Sequence, residues 1–179
     1  LDYLGTAALK PAVFEDVVGG FCKACKQNNM ALLGGETAEM PGLYPKGEYD
    51  LVGTVVGTVE RKKLITGKKI RKGDVIIGLP STGLQTNGYS LARHIIFKKA
   101  GMKLSDFVPG TRTTFEKALL AIHKSYLHPV SAVMKKVNIH GMAHITGGGL
   151  YDNIPRILPE TVDAVIDTSS WKPPAIFSS

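Results

Sequence analysis

The chain has 179 residues, 44% hydrophobic and 21% charged, with a formal net charge of +7. That length buries a core for one or two domains, and the composition is that of an ordinary globular protein, which excludes a disordered or fibrous chain. No apolar run approaches the about 20 residues of a membrane-spanning helix, and the first residue is Leu1 rather than Met, so the absence of a leader says nothing about compartment.

Residues 11–29 carry Val13, Val17, Val18, Phe21 and Cys25 on one helical face, with Pro11 in the first turn, and predict a helix. Cys22 and Cys25 form a Cys-x-x-Cys pair, but no second pair exists to complete a four-ligand zinc site. They read as ordinary reduced cysteines on that helix, one of them buried. Residues 30–33 read as a short apolar strand leading into GGETAEMPG at 34–42. Gly34 and Gly35 permit positive φ and close backbone approach, and Pro41-Gly42 sets a second turn. Glu36 and Glu39 stand between them, three positions apart on the turn. Two acids in a polar loop suit a divalent cation, a polyphosphate held through it, or proton transfer. Alone, they suit a surface turn with a capping acid equally well.

The β-branched stretch 50–60 predicts a long strand with bends at Gly53 and Gly57. Residues 61–72, RKKLITGKKIRK, hold seven basic residues and no acid, so the other 15 Lys+Arg balance the 15 Asp+Glu. No aromatic is interleaved and Thr66-Gly67 marks a turn, so the cluster reads as a solvated linker or hairpin rather than a nucleic-acid patch. The domain boundary is placed there, near Glu60.

DVIIGL at 74–79 has the continuous apolar character of a strand buried on both faces. Pro80 ends it, a polar loop follows over 81–87, and Asn87 is positioned to cap a helix over 88–100. Helices are predicted over 114–123 and 125–136, the second interrupted near Pro129. A strand over 139–145 then turns through Thr146-Gly147-Gly148-Gly149 into a helix bearing residues 151–158, and a last strand covers 162–166. Strands alternating with helices give an α/β (α+β) class. The expected architecture is a partial N-terminal αβ domain, residues 1–60, followed by a C-terminal α/β sandwich with a mixed sheet, residues 61–179.

Two loops share one design, in which a strand meets a small polar glycine turn and then a helix start. One holds Ser81, Thr86, Asn87 and Gly88; the other holds Thr146, Gly147, Gly148 and Gly149. Unpaired N–H groups at such starts favour phosphate. No P-loop pattern is present, so any ATP is held in another way. His140 and His144 share a face if they lie on a strand, but the Glu of a zinc-binding helix is missing. His144 is expected to end the strand beside the glycine turn, where it can hydrogen-bond or shuttle a proton. His94, His123 and His128 read as structural or exposed.

GGETAEMPG, STGLQTNGYSLAR at 81–93 and HITGGGLYDNIP at 144–155 occur in one chain and in this order. Together with Tyr49-Asp50 and Asp167-Thr168-Ser169-Ser170-Trp171, they closely resemble the phosphoribosylformylglycinamidine cyclo-ligase (aminoimidazole ribonucleotide synthetase) family along essentially the whole chain. The resemblance implies ATP- and Mg²⁺-dependent ring closure of formylglycinamidine ribonucleotide to aminoimidazole ribonucleotide, by phosphoryl activation of the formyl oxygen. It implies a cytoplasmic homodimer in purine biosynthesis, paired through the strand at 50–60, with no nucleic-acid or membrane partner. It implies catalytic roles for Glu36, Glu39 and His144, nucleotide contacts at Asp2, Gly34 and Gly35, and a metal at Asp2 and Glu36. Ser81, Thr86, Asn87, Gly88 and Thr146 to Gly149 would take substrate or phosphate.

Departures from the family pattern are Gln85, where a His is common, and the opening DYLGTAAL against a usual DYFATGKL, with Ala8 in place of the lysine. The family's chains are roughly twice this length, so the sequence reads as a piece lacking the upstream nucleotide loop and the C-terminal end, with little or no turnover by itself. Rival readings are another ATP-using enzyme of the same superfamily, such as formylglycinamidine synthetase, a non-enzymatic module binding anions or nucleic acid through 61–72, and a dimerisation piece.

Overall fold

The computed structural model describes residues 1–177; Ser178 and Ser179, the end of the expected second domain, lie outside the described residues. Helices combine with a mixed three-stranded sheet, an α/β arrangement, and the chain divides into two units, Leu1–Lys63 and Leu64–Ser179.

In the first unit, β1 (Asp2–Thr6) is the central strand, followed by α1 (Pro11–Gln27), β2 (Gly35–Glu39) and β3 (Tyr49–Gly53). β2 lies parallel to β1 and β3 antiparallel, in the order β2-β1-β3. A parallel neighbour requires a crossover, and α1 supplies it. Pro11 occupies the first helical turn, where its missing N–H costs nothing. The helix ends on Asn29 at φ 52°, with Asn29 N–H donating to Lys26 O at 3.3 Å and Met30 N–H to Cys25 O at 2.9 Å. That left-handed residue and its 6→1 and 5→2 bonds form a Schellman stop.

Side chains alternate across the sheet, so register decides which residues share a face. Asp2, Leu4 and Thr6 are opposite Gly35, Thr37 and Glu39 in β2, and opposite Gly53, Leu51 and Tyr49 in β3. This face meets α1: Leu4, Thr6 and Tyr49 line a cavity of about 40 Å³ together with Val13 and Phe14. Tyr3, Gly5, Glu36, Ala38, Asp50 and Val52 occupy the other face. There Tyr44 Oη donates to Asp50 Oδ2 at 3.2 Å.

Two expectations for this unit are corrected. The strand is not at 30–33 but at Gly35–Glu39, so the paired acids sit on the strand itself rather than on a turn. β3 stops at Gly53 rather than running to residue 60. At the Asp2 side of the β1–β3 ladder, Leu1 and Thr54 exchange the last bonds at 3.1 and 2.8 Å. Val55, Val56 and Val59 lie exposed and irregular, with no strand partner among the described residues.

In the second unit, α2 (Tyr89–Arg93) continues as a π-helical stretch over His94–Lys99, followed by α3 (Phe115–Leu119), α4 (Leu127–Met134) and α5 (Gly149–Asn153). Ile96, Val108, Phe115 and Leu119 form a buried cluster, against which Leu84, Tyr89, Phe97 and Met102 pack. Thr114 caps α3, its Oγ1 accepting from Lys117 N–H at 3.4 Å. Pro129 does not interrupt α4; it falls in the first turn, where proline is tolerated. Pro155 ends the helix expected over 151–158 and opens a 3₁₀ turn, Pro155–Ile157.

The C-terminal sandwich with its own mixed sheet is not what the described residues of this unit show. Residues 74–79, 139–145 and 162–166 carry no regular secondary structure, with no ladder between them. Strand is a property of a pair, and the apolar runs have no hydrogen-bonded neighbour here; Val75 and Ile77 are 85% and 77% exposed. The turn over 67–74 is nevertheless seated on later chain. A Cβ on Gly67 would meet Ile157 O at 2.0 Å, and one on Gly141 would meet Ile70 Cδ1 at 2.5 Å. His140 Nδ1 lies 2.7 Å from Asp74 Oδ2.

Candidate functional site

The two glycine loops of the second unit touch. Thr146 Oγ1 donates to Asn87 Oδ1 at 3.0 Å across 59 residues of sequence. Asn87 is therefore a bridge between loops and not the expected helix cap; Gly88, at φ 101°, occupies the cap of α2 with no side-chain bond. A Cβ on Gly147 would come within 3.1 Å of Asn87 Nδ2, so glycine at 147 lets the loops approach this closely. With its Oδ1 used by Thr146, Asn87 keeps two Nδ2 donors, which nothing among the described residues accepts.

The backbone of the second loop is set by its glycines. Gly148 and Gly149 have φ of 90° and 63°, a left-handed pair that residues with a Cβ adopt only under strain. Gly149 N–H closes the turn on Thr146 O at 3.0 Å. Beneath it lies Asn153, 4% exposed, whose Nδ2 donates to the carbonyls of Thr146, Gly147 and Gly149 at 3.3, 3.2 and 2.7 Å. The reading of the sequence missed Asn153; the signal was a helical polar residue four positions after the last glycine. Asp152 also borders the loop, its Oδ2 lying 2.2 Å from where a Gly148 Cβ would stand.

The first loop is pinned from other directions. Ser81 Oγ pairs with Gly83, donating to its carbonyl at 3.2 Å, and Thr82 Oγ1 donates to Ile122 O at 3.0 Å. Tyr126 Oη donates to Pro80 O at 2.9 Å and Tyr89 Oη to Leu119 O at 2.6 Å. Ser81 is thus occupied inside its own turn. Thr86, Asn87 and Gly88 are exposed, and Gln85 is half-buried.

His144 does not end a strand. It lies exposed on irregular chain two residues before Thr146. His140 is not its partner on a strand face but the partner of Asp74. The hydrogen bond from His140, with a further one from Arg71 N–H, holds the Asp74 carboxyl below its ordinary value against the opposing effect of burial. Asp167 is likewise held low, by the hydroxyl of Ser169 at 2.7 Å and its N–H at 2.9 Å. These bonds fold Asp167-Thr168-Ser169-Ser170 into a capped 3₁₀ turn.

In the first unit, Gly34 is at φ 146°, and Asp2 N–H donates to its carbonyl at 3.2 Å. A Cβ on Gly35 would fall 1.9 Å from Asp2 Oδ1, so the Asp2 carboxylate lies over Gly35. Glu39 accepts from Leu9 N–H on that same face. Glu36 accepts from the neighbouring Thr37 N–H at 2.9 Å and belongs to the opposite face. An odd spacing along a strand separates the two acids. Asp2 and Glu36 thus lie on opposite faces of the sheet, and no group of three metal-ligating side chains occurs among the described residues. Cys22 is exposed and Cys25 half-buried, both as free thiols, so neither is the buried cysteine expected.

Comparison with known proteins covers both units. The family description "AIR synthase related protein, C-terminal domain" matches residues 71–179, more than half the chain, and "AIR synthase related protein, N-terminal domain" matches residues 1–59. The chain belongs to the AIR synthase related protein family. It is 48% identical over 177 residues to a phosphoribosylformylglycinamidine cyclo-ligase of Alkaliphilus metalliredigens (strain QYMF), covering 99% of this chain and 51% of the relative. The cyclo-ligase of Thermoanaerobacter sp. (strain X514) is 49% identical over 178 residues, covering 99% and 53%. The chloroplastic/mitochondrial cyclo-ligase of Vigna unguiculata is 50% identical over 177 residues, covering 99% and 45%. This AIR synthase related chain thus spans about half the length of the curated relatives it matches.

Proposed function

We propose that the protein to which this chain contributes closes the imidazole ring of aminoimidazole ribonucleotide from formylglycinamidine ribonucleotide, using ATP. The observation that carries this reading is sequence identity near one half along 99% of the chain to proteins named for that reaction. The structure supports it with the Thr146–Asn87 bond, which brings two glycine loops to one place. In the reaction, the formyl oxygen attacks the γ-phosphorus and ADP departs. The substrate's own nitrogen then adds to the activated carbon, the C–O bond breaks, and inorganic phosphate leaves as the nitrogen loses its proton. The formyl oxygen is a poor leaving group until it carries the phosphoryl group.

Asn87 Nδ2 and the amides of Gly147 and Gly148 are the donors assigned to substrate phosphate or the phosphoryl group in transit, with Thr86, Gly88 and Gly149 beside them. Fixed N–H donors stabilise such charge without reorganising. His144, exposed two residues from Thr146, is the group assigned to proton transfer. Asp2, Gly34 and Gly35 are assigned to nucleotide contact, and Glu36 and Glu39 to separate contacts on their two faces. Residues 1–60 belong to an ATP-binding and dimerisation domain and 61–179 to the domain carrying the glycine loops. A cytoplasmic homodimer is the proposed state. No helix among the described residues is long and apolar enough to cross a membrane.

The test is ATP hydrolysis by the protein of family length. Hydrolysis should require formylglycinamidine ribonucleotide and yield one imidazole product per ADP, whereas substrate-independent hydrolysis or another product sinks the reading. The 179-residue chain by itself is expected to show little or no turnover.

A further inference from the structure

We infer that Asn153 is a positioning residue that sets the second glycine loop and, through it, the bond joining the two loops. The inference rests on the proposed reading of those loops as a phosphate site. Asn153 is buried, lies at the end of α5, and directs one amide nitrogen at three carbonyls of the loop before that helix. Two hydrogens are shared among three acceptors, so the carbonyls of Thr146, Gly147 and Gly149 are gathered on one point. A peptide plane fixed through its oxygen is also fixed through its N–H. Asn153 therefore determines where the loop amides lie, while its own hydrogen bonds go to the loop carbonyls and not to Asn87.

Thr146 is the hinge of this coupling. Its carbonyl is held by Asn153 and its hydroxyl by Asn87, at 3.3 and 3.0 Å. Removing the Asn153 amide takes away the one donor shared by three carbonyls, and because the loop residues are exposed those carbonyls turn to water, which favours opening the loop over keeping its tight form. Leucine, close in volume, keeps the packing but supplies no donor, and aspartate sets a carboxylate against the carbonyls. Both should release the loop; glutamine, which keeps the amide on a longer stem, should restore part of the coupling.

The experiment is NMR of the 179-residue chain and its Asn153→Leu, Asn153→Asp and Asn153→Gln variants, with inorganic phosphate as the probe. In the unsubstituted chain, phosphate should shift the amides of Gly147 and Gly148 and the side-chain amide of Asn87. In Asn153→Leu and Asn153→Asp, the Asn87 side-chain resonance should move before any phosphate is added, and the phosphate response should fall at least tenfold in affinity. Asn153→Gln should recover part of both, and the core resonances of Phe115 and Leu119 should stay in place. Unchanged Asn87 resonances and affinity in the leucine and aspartate variants overturn the inference and leave the phosphate site standing. A displaced Asn87 resonance in the variants, with no phosphate response in any of the proteins, supports the coupling and overturns the phosphate reading instead. Collapse of the core resonances in all three variants overturns the inference, because Asn153 would then serve the fold as a whole.

Discussion

Replacing Gly67 by alanine should destabilise the second unit more than the same change at Gly73, and the difference isolates one packing contact. Both residues are left-handed, at φ 80° and 93°. An alanine at either position carries about 1–2 kcal/mol of backbone strain. Around Gly73 a new Cβ meets open space, whereas at Gly67 it meets Ile157 O at 2.0 Å and Ile157 C at 2.9 Å. Both obstructing atoms are backbone, so the turn over 67–74 must lift off the segment after α5. Overpacking of this kind costs a further about 1–3 kcal/mol. With a urea m-value of about 2 kcal/mol/M, the two variants should differ by about 0.5–1.5 M in unfolding midpoint. The assay is urea unfolding followed by circular dichroism, with the Asp74–His140 contact monitored by the histidine ring resonances. Coincident midpoints for Gly67→Ala and Gly73→Ala would mean that the turn is not seated on Ile157.

Phe115→Ala, which empties a 3%-exposed core position, should cost about 3–5 kcal/mol in the same unfolding experiment; a loss under 1 kcal/mol would show that this cluster is not the unit's core. Asp74 has a folded pKa below its ordinary value of 3.8, so its contribution is complete above that value and is lost as pH falls through the lower folded one. Asp74→Asn should therefore flatten the stability–pH curve below about pH 4, and an unaltered acid limb contradicts the pairing with His140. Exposed Cys22 should react with a thiol reagent before half-buried Cys25 in the native chain, with equal rates by mass spectrometry as the contrary result. Gly35→Ala should displace Asp2, whose carboxylate occupies the space of the new methyl. Loss of the Asp2–Gly34 amide protection in hydrogen exchange would report it, and unchanged protection would refute the close approach.

Local features of this chain were written in its residues. The helix over 11–29 needed only its apolar stripe and Pro11, both of which act within a turn or two, and α1 falls where they put it. Left-handed glycines at 34, 42, 67 and 148 follow from turn chemistry in the same way. The three motifs were enough to suggest the family that the comparisons then identified. Pairing was different. Whether 74–79 or 139–145 becomes a strand depends on a neighbour far along the chain, and an apolar run carries no record of that neighbour. The separation of Glu36 from Asp2 likewise came from register, because one step along a strand exchanges faces. Only the tertiary structure decided that Asn87 reaches Thr146 and that Asn153 gathers the loop carbonyls, since side-chain amides bind whatever the fold brings within about 3 Å.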